Sequence, residues 1–289
     1  MEFDYIEKEH ELIENIRNQG INEDVLHHFT LHVISFYQHH RRELPWRTST
    51  DPYRILVSEM MLQQTQVDRV IPKYITFISL FPDFSTLAAA SRKDVLGAWQ
   101  GLGYNRRAQA LHTIAHLVMD TYCGTLPSSV EELTKFPGIG KATASAIFVY
   151  AHNVPLVFIE TNIRRVFIHF FFQDSHNIPD NRIEPLVAAT IWKENPRDWY
   201  NSLMDYGSLL KNRVPNPNVR SSVFRKQSPF QGSDRQLRGQ ILKKLLTGAE
   251  MTEEDLAEEL AVDPARLAKI LTTMHREGLI TSHASKWKV

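Results

Sequence analysis

Cysteine is almost absent from this chain of 289 residues, because Cys123 is the only one. A single thiol excludes a disulfide framework and a cysteine-ligated metal site within the chain. Net charge is lacking as well, since 33 Lys and Arg residues balance 33 Asp and Glu residues. The overall charge therefore gives no argument for nucleic-acid binding, and any such argument must be local.

Long hydrophobic runs are also missing. The apolar stretch VFIHFFF at 166–172 falls far short of the ~20 residues that span a bilayer. The N-terminus MEFDYIEKEH is too acidic for a signal peptide. Hydrophobic residues still make up 43% of the sequence, enough for a sizeable core, and the length suggests about two domains. We expect an intracellular enzyme or binding protein without a membrane partner.

Helical periodicity runs through most of the first 210 positions. Apolar residues recur every three or four positions in DPYRILVSEMMLQQ, RAQALHTIAHLVMDTY and VEELTKF, and convincing hairpin signals are lacking. The pattern predicts an all-α body.

A basic segment follows this body. Nine Lys and Arg residues lie between Lys211 and Lys244, against the single acid Asp234. Such a cluster suits phosphate contacts, although a solvated surface explains it equally well. Because the segment contains VPNPNVRSSVF and KQSPFQGSD, we expect an irregular connector.

The tail after the connector is predicted to form three short helices and two strands. Thr252 is the expected N-cap of the second helix, and Asp263 with Pro264 opens the third. The order resembles a winged helix, and the basic Arg266 and Lys269 favour docking of the third helix in a DNA groove. A packing module without a nucleic-acid role is the alternative.

Two short segments point to chemistry. In FPGIGK at 136–141, Gly138 and Gly140 lead into a helix that starts near Lys141, and exposed N–H groups at such a helix end suit a phosphate. A tight turn between helices is the alternative use of these glycines. In VPLVFIETNIRRVF at 154–167, Glu160 ends an apolar run, so this acid either caps a helix or has a chemical task.

Six blocks, in the same order, resemble the endonuclease III superfamily of helix-hairpin-helix DNA glycosylases, and most closely its adenine glycosylases of the MutY type. They are LPWR (44–47), SEMMLQQTQVDRVIPKY (58–74), GLGYNRRAQALH (101–112), FPGIGKATASAI (136–147), IETNIRRV (159–166) and MDYGSLL (204–210). The resemblance implies an all-α fold with a six-helix barrel at 46–155, which contains the hairpin, and a second helical domain at 25–45 and 156–230. Residues 1–24 are then an N-terminal extension, and residues 231–289 form a winged-helix-like domain.

Hydrolysis of an N-glycosidic bond is served by two acids in opposite protonation states, and Glu59 and Glu160 are the expected pair. Glu59 lies in a strongly apolar helix, where burial keeps a carboxyl protonated and ready to donate to a purine nitrogen. Glu160 lies beside Arg164 and Arg165 at a helix start, so we expect it to stay ionised and to face the oxocarbenium-like sugar. A capping or salt-bridged acid is the alternative for each.

The resemblance assigns further roles residue by residue. Asn162 matches a residue that orders water near the catalytic acids, and a helix N-cap is its alternative role. The family's wedge and stacking ring, which replace a flipped base in the duplex, match Gln63, Gln64 and Tyr104. The lining of its base pocket matches Trp46 and Arg47. Its hairpin, which grips the DNA backbone, matches Gly138, Gly140 and Lys141.

Departures from the family pattern narrow the activity. The family generally has Asp at the position of Glu160, which leaves the effect of one extra methylene open. Ala142 stands where the lyase branch has a catalytic lysine, so we expect a monofunctional enzyme without strand cleavage. No iron-sulfur cluster and no other cofactor or metal is expected, because none of the positions matching the family's cluster ligands is a cysteine: Lys211, Asn218, Ser221 and Gln227.

Three functional classes stay open. The first is a glycosylase that releases adenine, or another purine, from a mispaired or damaged pair. The second is a thymine or uracil mismatch glycosylase on the same scaffold. The third is a DNA-binding protein that kept the scaffold and lost the chemistry, for which Glu160 and Ala142 are the arguments.

In each class the partner is double-stranded DNA, and we expect a monomer in the cytoplasm, at a prokaryotic nucleoid, or elsewhere inside the cell. The opposite base stays open, because the tail replaces the domain with which typical members recognise 8-oxoguanine.

Overall fold

The computed structural model describes residues 2–248 and 250–289, with side chains from residue 6 onward. Within these residues the chain forms fifteen α-helices, one 3₁₀ turn (Pro217–Arg220) and one sheet of two strands. The predicted all-α class is therefore confirmed. In chain order the elements are α1 (Glu2–Gln19), α2 (Glu23–His40), α3 (Pro52–Leu62), α4 (Val67–Leu80), α5 (Phe84–Ala89), α6 (Arg92–Ala98), α7 (Arg106–Thr121), α8 (Val130–Thr134), α9 (Lys141–His152), α10 (Thr161–Phe171), α11 (Asp180–Thr190), α12 (Pro196–Arg213), α13 (Asp234–Leu246), α14 (Glu253–Leu260), α15 (Pro264–Arg276), β1 (Thr281–His283) and β2 (Lys286–Lys288).

The chain folds into two compact units, each built from two segments. The first unit combines Met1–Leu44 with Gly140–Lys226, and the second combines Pro45–Ile139 with Gln227–Val289. The chain passes from the second unit to the first within the glycine hairpin. The tail thus groups with α3–α8, and α9 groups with the helices of the first unit. The family resemblance implies different domain bounds, because it ends the six-helix barrel at residue 155 and makes 231–289 a separate domain. Those domain bounds stay a prediction.

An aromatic cluster forms the centre of the first unit. The ring of Phe29 from α2 lies 5.0–5.3 Å from the rings of Phe167, Phe170 and Phe171 in α10, and 6.1 Å from Trp199 in α12. The apolar run at 166–172 is therefore the buried part of α10 and its end. Burying such rings contributes roughly 1.5–3 kcal/mol each, so the cluster holds α10 firmly against its neighbours.

A buried carboxylate fixes the N-terminal helix to this core. Glu9 of α1 is 2% exposed. Its oxygens accept hydrogen bonds from His169 at 3.0 Å, from the Tyr206 hydroxyl at 2.5 Å and from Arg213 at 3.3 Å. A buried carboxylate with three donors is well satisfied, so the predicted N-terminal extension is an integral part of the unit.

The irregular connector predicted after α12 is observed at 214–233. Within the first unit, Asn218 Nδ2 donates to the Thr161 carbonyl at 3.0 Å, and Arg220 donates to the Ile168 carbonyl at 3.2 Å and to that of Gln173. Ile178 and Ser221 form an isolated parallel bridge. The connector is thus held along α10 by hydrogen bonds from its own residues.

The three helices and two strands predicted for the tail are present within the second unit. Thr252 caps α14 in a capping box with Asp255, and Asp263 caps α15, as the sequence predicts. The two strands pair antiparallel. Arg92 of α6 donates to the Gly278 carbonyl after α15 at 2.7 Å, so the tail is attached to the helices before it.

Candidate active site

The position of α10 determines the surroundings of Glu160. Its side chain is the N-cap of α10 and accepts hydrogen bonds from the backbone N–H groups of Asn162 at 2.5 Å and Ile163 at 3.1 Å. These are two of the donors that a helix leaves without partners at its start. The capping role weighed for Glu160 is therefore observed, and the same hydrogen bonds hold its carboxylate at the positive end of the helix dipole.

Opposing influences act on the acidity of Glu160. Burial raises the pKa of its carboxyl above the ordinary value, and the bonds to Ile163 and Asn162 and the charges of Arg164 and Arg165 lower it by less. Both arginines bind elsewhere: Arg164 pairs with Asp180 at 2.7 Å, and Arg165 donates to the Asn162 side chain at 2.6 Å. Burial is therefore a larger influence on this pKa than the arginine pair, and the expectation that Glu160 stays ionised remains a prediction.

Asn162 is held from three sides. Its Oδ1 accepts from Arg165 at 2.6 Å, and its Nδ2 lies 3.7 Å from Met204 Sδ. Asn162 is not the N-cap, since Glu160 has that position. A Cβ placed on Gly207 of α12 would lie 2.6 Å from Asn162 Cβ and 2.7 Å from the Asn162 carbonyl oxygen. The first turn of α10 thus packs directly on a glycine, a contact that the sequence blocks did not single out.

Glu59 lies in α3, in the second unit. Its neighbours Ser58 and Met60 are 2% and 0% exposed, while Glu59 itself is half-buried. The N-terminus of α3 is fixed by Asp51, which caps Tyr53 N at 3.0 Å, and by the Tyr53 hydroxyl, which donates to the Phe81 carbonyl at 2.6 Å. The apolar setting expected for this acid is present along α3.

A buried arginine that the sequence reasoning missed organises the region after α3. Arg107 is 7% exposed, and burial lowers the pKa of its guanidinium to about 10, so it stays charged at neutral pH. Its Nη1 donates to the carbonyls of Met60 at 2.8 Å, Met61 at 2.9 Å and Gln63 at 2.6 Å. Its Nη2 donates to Thr65 Oγ1 and to the Gly103 carbonyl, both at 3.0 Å. One side chain thus joins the end of α3 to the GLGY turn.

This arrangement brings together the predicted wedge and stacking residues. Gln63 Nε2 donates to the Gly138 carbonyl at 3.2 Å. Gln64 and Tyr104 both have left-handed backbones, with φ of 54° and 48°. Such angles are uncommon for residues with a Cβ and cluster at functional sites. With Gly138, these side chains line a groove of about 860 Å³ in the second unit.

The base-pocket candidates and the hairpin are located as follows. Trp46 is 8% exposed, and its ring lies 5.5 Å from that of Tyr74; the adjacent Arg47 is half-buried. Gly138 has φ of 76°, and a Cβ there would lie 3.3 Å from Ala110 Cβ and Met60 Cε, so both backbone angle and space favour glycine. Gly140 is the N-cap of α9 and offers no side chain to its first N–H groups, and Lys141 is exposed beside it.

The positions matching an iron-sulfur site do not fit that group. Asn218 and Ser221 are 4% and 6% exposed, and they hold the connector through the hydrogen bond and bridge described above. Neither supplies a thiolate, and the one cysteine of the chain, Cys123, lies far away in sequence. In the described part of the chain, no group of three or more His, Cys, Asp or Glu side chains could hold a metal ion. Among the same residues, no helix has the length and apolar character needed to cross a membrane.

Known proteins similar to this chain are DNA repair enzymes. The family described as HhH-GPD superfamily base excision DNA repair protein matches residues 57–187. An adenine DNA glycosylase of Mycolicibacterium smegmatis is 33% identical over 270 residues, which cover 87% of this chain and 92% of that protein. One of Mycobacterium tuberculosis is 31% identical over 274 residues, covering 86% and 89%. One of Buchnera aphidicola is 38% identical over 183 residues, and there the match spans about half (51%) of the relative's length.

Solved structures match the fold. A thermostable thymine-DNA glycosylase superposes with a TM-score of 0.59 at 24% identity, over 66% of this chain and 90% of that one. A non-covalent endonuclease III–DNA complex gives a TM-score of 0.57 at 18% identity, over 68% and 90%. These likenesses leave part of this chain unmatched.

Proposed function

Because the chain belongs to the HhH-GPD superfamily of base excision DNA repair proteins, we propose that it is a monofunctional DNA glycosylase that releases adenine from a mispaired or damaged pair. One observation carries the choice of adenine: the mycobacterial adenine DNA glycosylases align with 87% and 86% of the chain at 33% and 31% identity. Double-stranded DNA with a mispaired or damaged base is the proposed substrate. We propose that the protein acts as a monomer, inside the cell, where that DNA is found.

The proposed reaction begins with Glu59 as the proton donor. Protonation of a purine ring nitrogen makes the base a better leaving group, and the half-buried carboxyl of Glu59 on α3 is the proposed source of that proton. The C–N bond then breaks and its electron pair leaves with the protonated base, so the deoxyribose becomes oxocarbenium-like. Water adds to the anomeric carbon and releases one proton to solvent.

Glu160 is the proposed electrostatic partner of that sugar. Two backbone N–H groups of α10 hold its carboxylate, so its position is fixed before substrate arrives. An Asp at an N-cap accepts the same kind of bonds, which explains how a Glu can occupy the family's Asp position with its carboxylate still at the helix start. Asn162, oriented by Arg165, is the proposed partner of the attacking water.

Strand cleavage is excluded from the proposal. Ala142 lies exposed in the first turn of α9 and has neither an amine for a Schiff base nor a hydroxyl.

We propose that the N–H groups at the start of α9, with Lys141 and the hairpin glycines, hold a phosphate of the DNA backbone. Gln63, Gln64 and Tyr104 are the proposed replacements for the flipped base, and Trp46 and Arg47 line its pocket.

The tail is proposed to be a winged-helix-like DNA-binding module, with the order α13–α14–α15–β1–β2 as its support. Lys269 of α15 is exposed. Arg266, which the sequence also suggested for groove contacts, instead pairs with Asp234 at 2.8 Å and donates to the Gly232 carbonyl at 2.7 Å. Contacts to phosphate from this helix therefore rest on Lys269 more than on Arg266.

A panel of duplexes tests the proposal. Each carries one mispair or lesion, with adenine, thymine or uracil as the candidate base, and the free base released is identified by chromatography. Release of adenine from at least one duplex, without strand cleavage, is expected. Release of thymine or uracil alone supports the mismatch class instead. Tight binding with no release of any base supports a DNA-binding protein whose Glu160 is only a helix cap.

A further inference from the structure

We infer that the tail segment Gln227–Arg238 forms one wall of a DNA-binding groove, and that Arg235 is a positioning residue for the Tyr104 ring. The inference rests on the proposed function, because it concerns how the duplex is held while a base is flipped. It is carried by contacts within the second unit, between the start of the tail and the residues that follow α3 and α6.

Arg235 binds Tyr104 in two ways. Its Nη1 donates to the Tyr104 hydroxyl at 2.7 Å, and its guanidinium lies 5.4 Å from the centre of the Tyr104 ring. The same guanidinium lies 5.4 Å from the ring of Phe230. A planar guanidinium near two aromatic rings combines a hydrogen bond with cation–π attraction, and the compact ammonium of a lysine lacks this rigid fork of donors.

Gln227 adds a second contact from the tail. Its Nε2 donates to the Tyr104 hydroxyl and lies 3.5 Å from Gln64 Oε1. Two tail residues thus contact Gln64 and Tyr104, the two residues of the groove other than glycine that have left-handed backbones. Holding a ring in one orientation before binding lowers the entropy lost when it enters the duplex, so these contacts favour insertion of Tyr104.

The charge of the groove indicates what occupies it. Five arginines and one acid, Glu277, line it, although the chain as a whole is neutral. Glu277 is already paired with Arg238 and lies 3.9 Å from Arg106, whereas Arg276 and Arg106 are exposed. Phe230, whose ring lies beside the guanidinium of the groove residue Arg235, is 54% exposed. Excess arginine with an exposed ring suits a nucleic-acid strand, whose phosphates and bases match both features. The occupant we assign is the DNA strand that passes the flipped base.

A double-mutant cycle tests the inference. Tyr104→Phe removes the hydroxyl and keeps the ring, and Arg235→Ala removes the guanidinium. Binding is measured with a duplex whose target adenosine carries a 2′-fluorine, which resists hydrolysis, and whose neighbouring base is 2-aminopurine, so that fluorescence reports unstacking at the mispair. Each single variant is expected to bind about tenfold more weakly and to show less unstacking, and the double variant is expected to be no worse than about tenfold.

Controls separate positioning from charge. Arg235→Lys keeps the charge and is expected to behave like Arg235→Ala in unstacking, while Lys269→Ala removes a tail charge outside the groove and is expected to change the salt dependence of binding without changing unstacking. Thermal melting of each variant verifies that it is folded. The inference is overturned if the affinity losses of Tyr104→Phe and Arg235→Ala multiply in the double variant. It is also overturned if Lys269→Ala loses as much unstacking as Arg235→Ala. If the wild type releases no base while the cycle shows coupling, only the proposed function fails; if it releases adenine and coupling is absent, only this inference fails.

Discussion

Replacing Gly207 with alanine is expected to displace Glu160 without touching it. The new Cβ would lie 2.6 Å from Asn162 Cβ, 2.7 Å from the Asn162 carbonyl oxygen and 2.9 Å from Asn162 Cα. Those atoms belong to the first turn of α10, so no flexible side chain can move aside. Ordinary contact requires the helix start to retreat by roughly 1 Å, and overpacking of this kind costs about 1–3 kcal/mol.

This shift of the start of α10 is expected to slow the reaction because it moves the N-cap residue, Glu160. Glu160 is bound to the N–H groups of that first turn, so its carboxylate moves with it. A misplacement of about 1 Å in a catalytic group lowers the rate roughly 100-fold. We therefore expect Gly207→Ala to lower the single-turnover rate of base release by about that factor, and to lower the urea midpoint of unfolding.

Gly239→Ala is the matched control, since Gly239 also lies within a helix, α13, and a Cβ there meets no atom within 4 Å. It is expected to stabilise the protein by about 0.5–1 kcal/mol and to leave the rate unchanged. A Gly207→Ala variant with wild-type stability and a rate within about threefold of wild type would refute the reasoning.

Four further outcomes are expected. Arg107→Lys keeps the charge but not the fork that serves the buried carbonyls, so the free energy of unfolding should fall by about 2–4 kcal/mol in urea titration; an unchanged midpoint contradicts this role. Glu160→Asp should retain base release within about tenfold, whereas Glu160→Gln should lose about 100-fold or more, and equal rates would argue for a cap alone. The purified protein should contain no stoichiometric iron and show no visible absorption band, because Cys123 is its only thiol. Burial lowers the pKa of His32 to about 4, so the unfolded chain takes up this proton first as pH falls. The free energy of unfolding should therefore decrease between about pH 6.5 and 4, and His32→Gln should flatten this loss; a gain in stability on acidification contradicts it.

Local features of the fold could be predicted from the sequence. Helical spacing indicated the segments that became α3, α7 and α8, and capping residues marked real starts, as Thr252 and Asp263 show. These signals are local because hydrogen bonds and caps within a helix join residues three or four positions apart.

Contacts between distant residues could not be predicted in this way. Glu9 binds Tyr206 across 197 positions, and Arg107 binds Met61 across 46, and neither pairing leaves a periodic pattern. The same limit applies to the acidity of Glu160. Its arginine neighbours are visible in the sequence, but the partners that bind those arginines, such as Asp180, and the protein that surrounds its carboxylate are set by packing.

The candidate site could also be predicted only in part. Gln63, Gln64, Tyr104 and Gly138 were named from the family blocks, and the structure places them around one groove. The residues that hold this groove in shape, Arg107 and Arg235, were not named. Their roles depend on which carbonyls and rings they reach, and that follows only from the folded chain.

The most direct test of the proposed mechanism is single-turnover release of adenine by Glu59→Gln, measured beside the wild type on the most reactive duplex of the panel. The substitution keeps the shape of the side chain and removes the proton that the base needs as it leaves. Base release is expected to be abolished while duplex affinity changes by less than about tenfold, or ~1.4 kcal/mol. A variant that keeps more than about a tenth of the wild-type rate, or one that loses the duplex along with the reaction, would contradict the role of Glu59 as the acid.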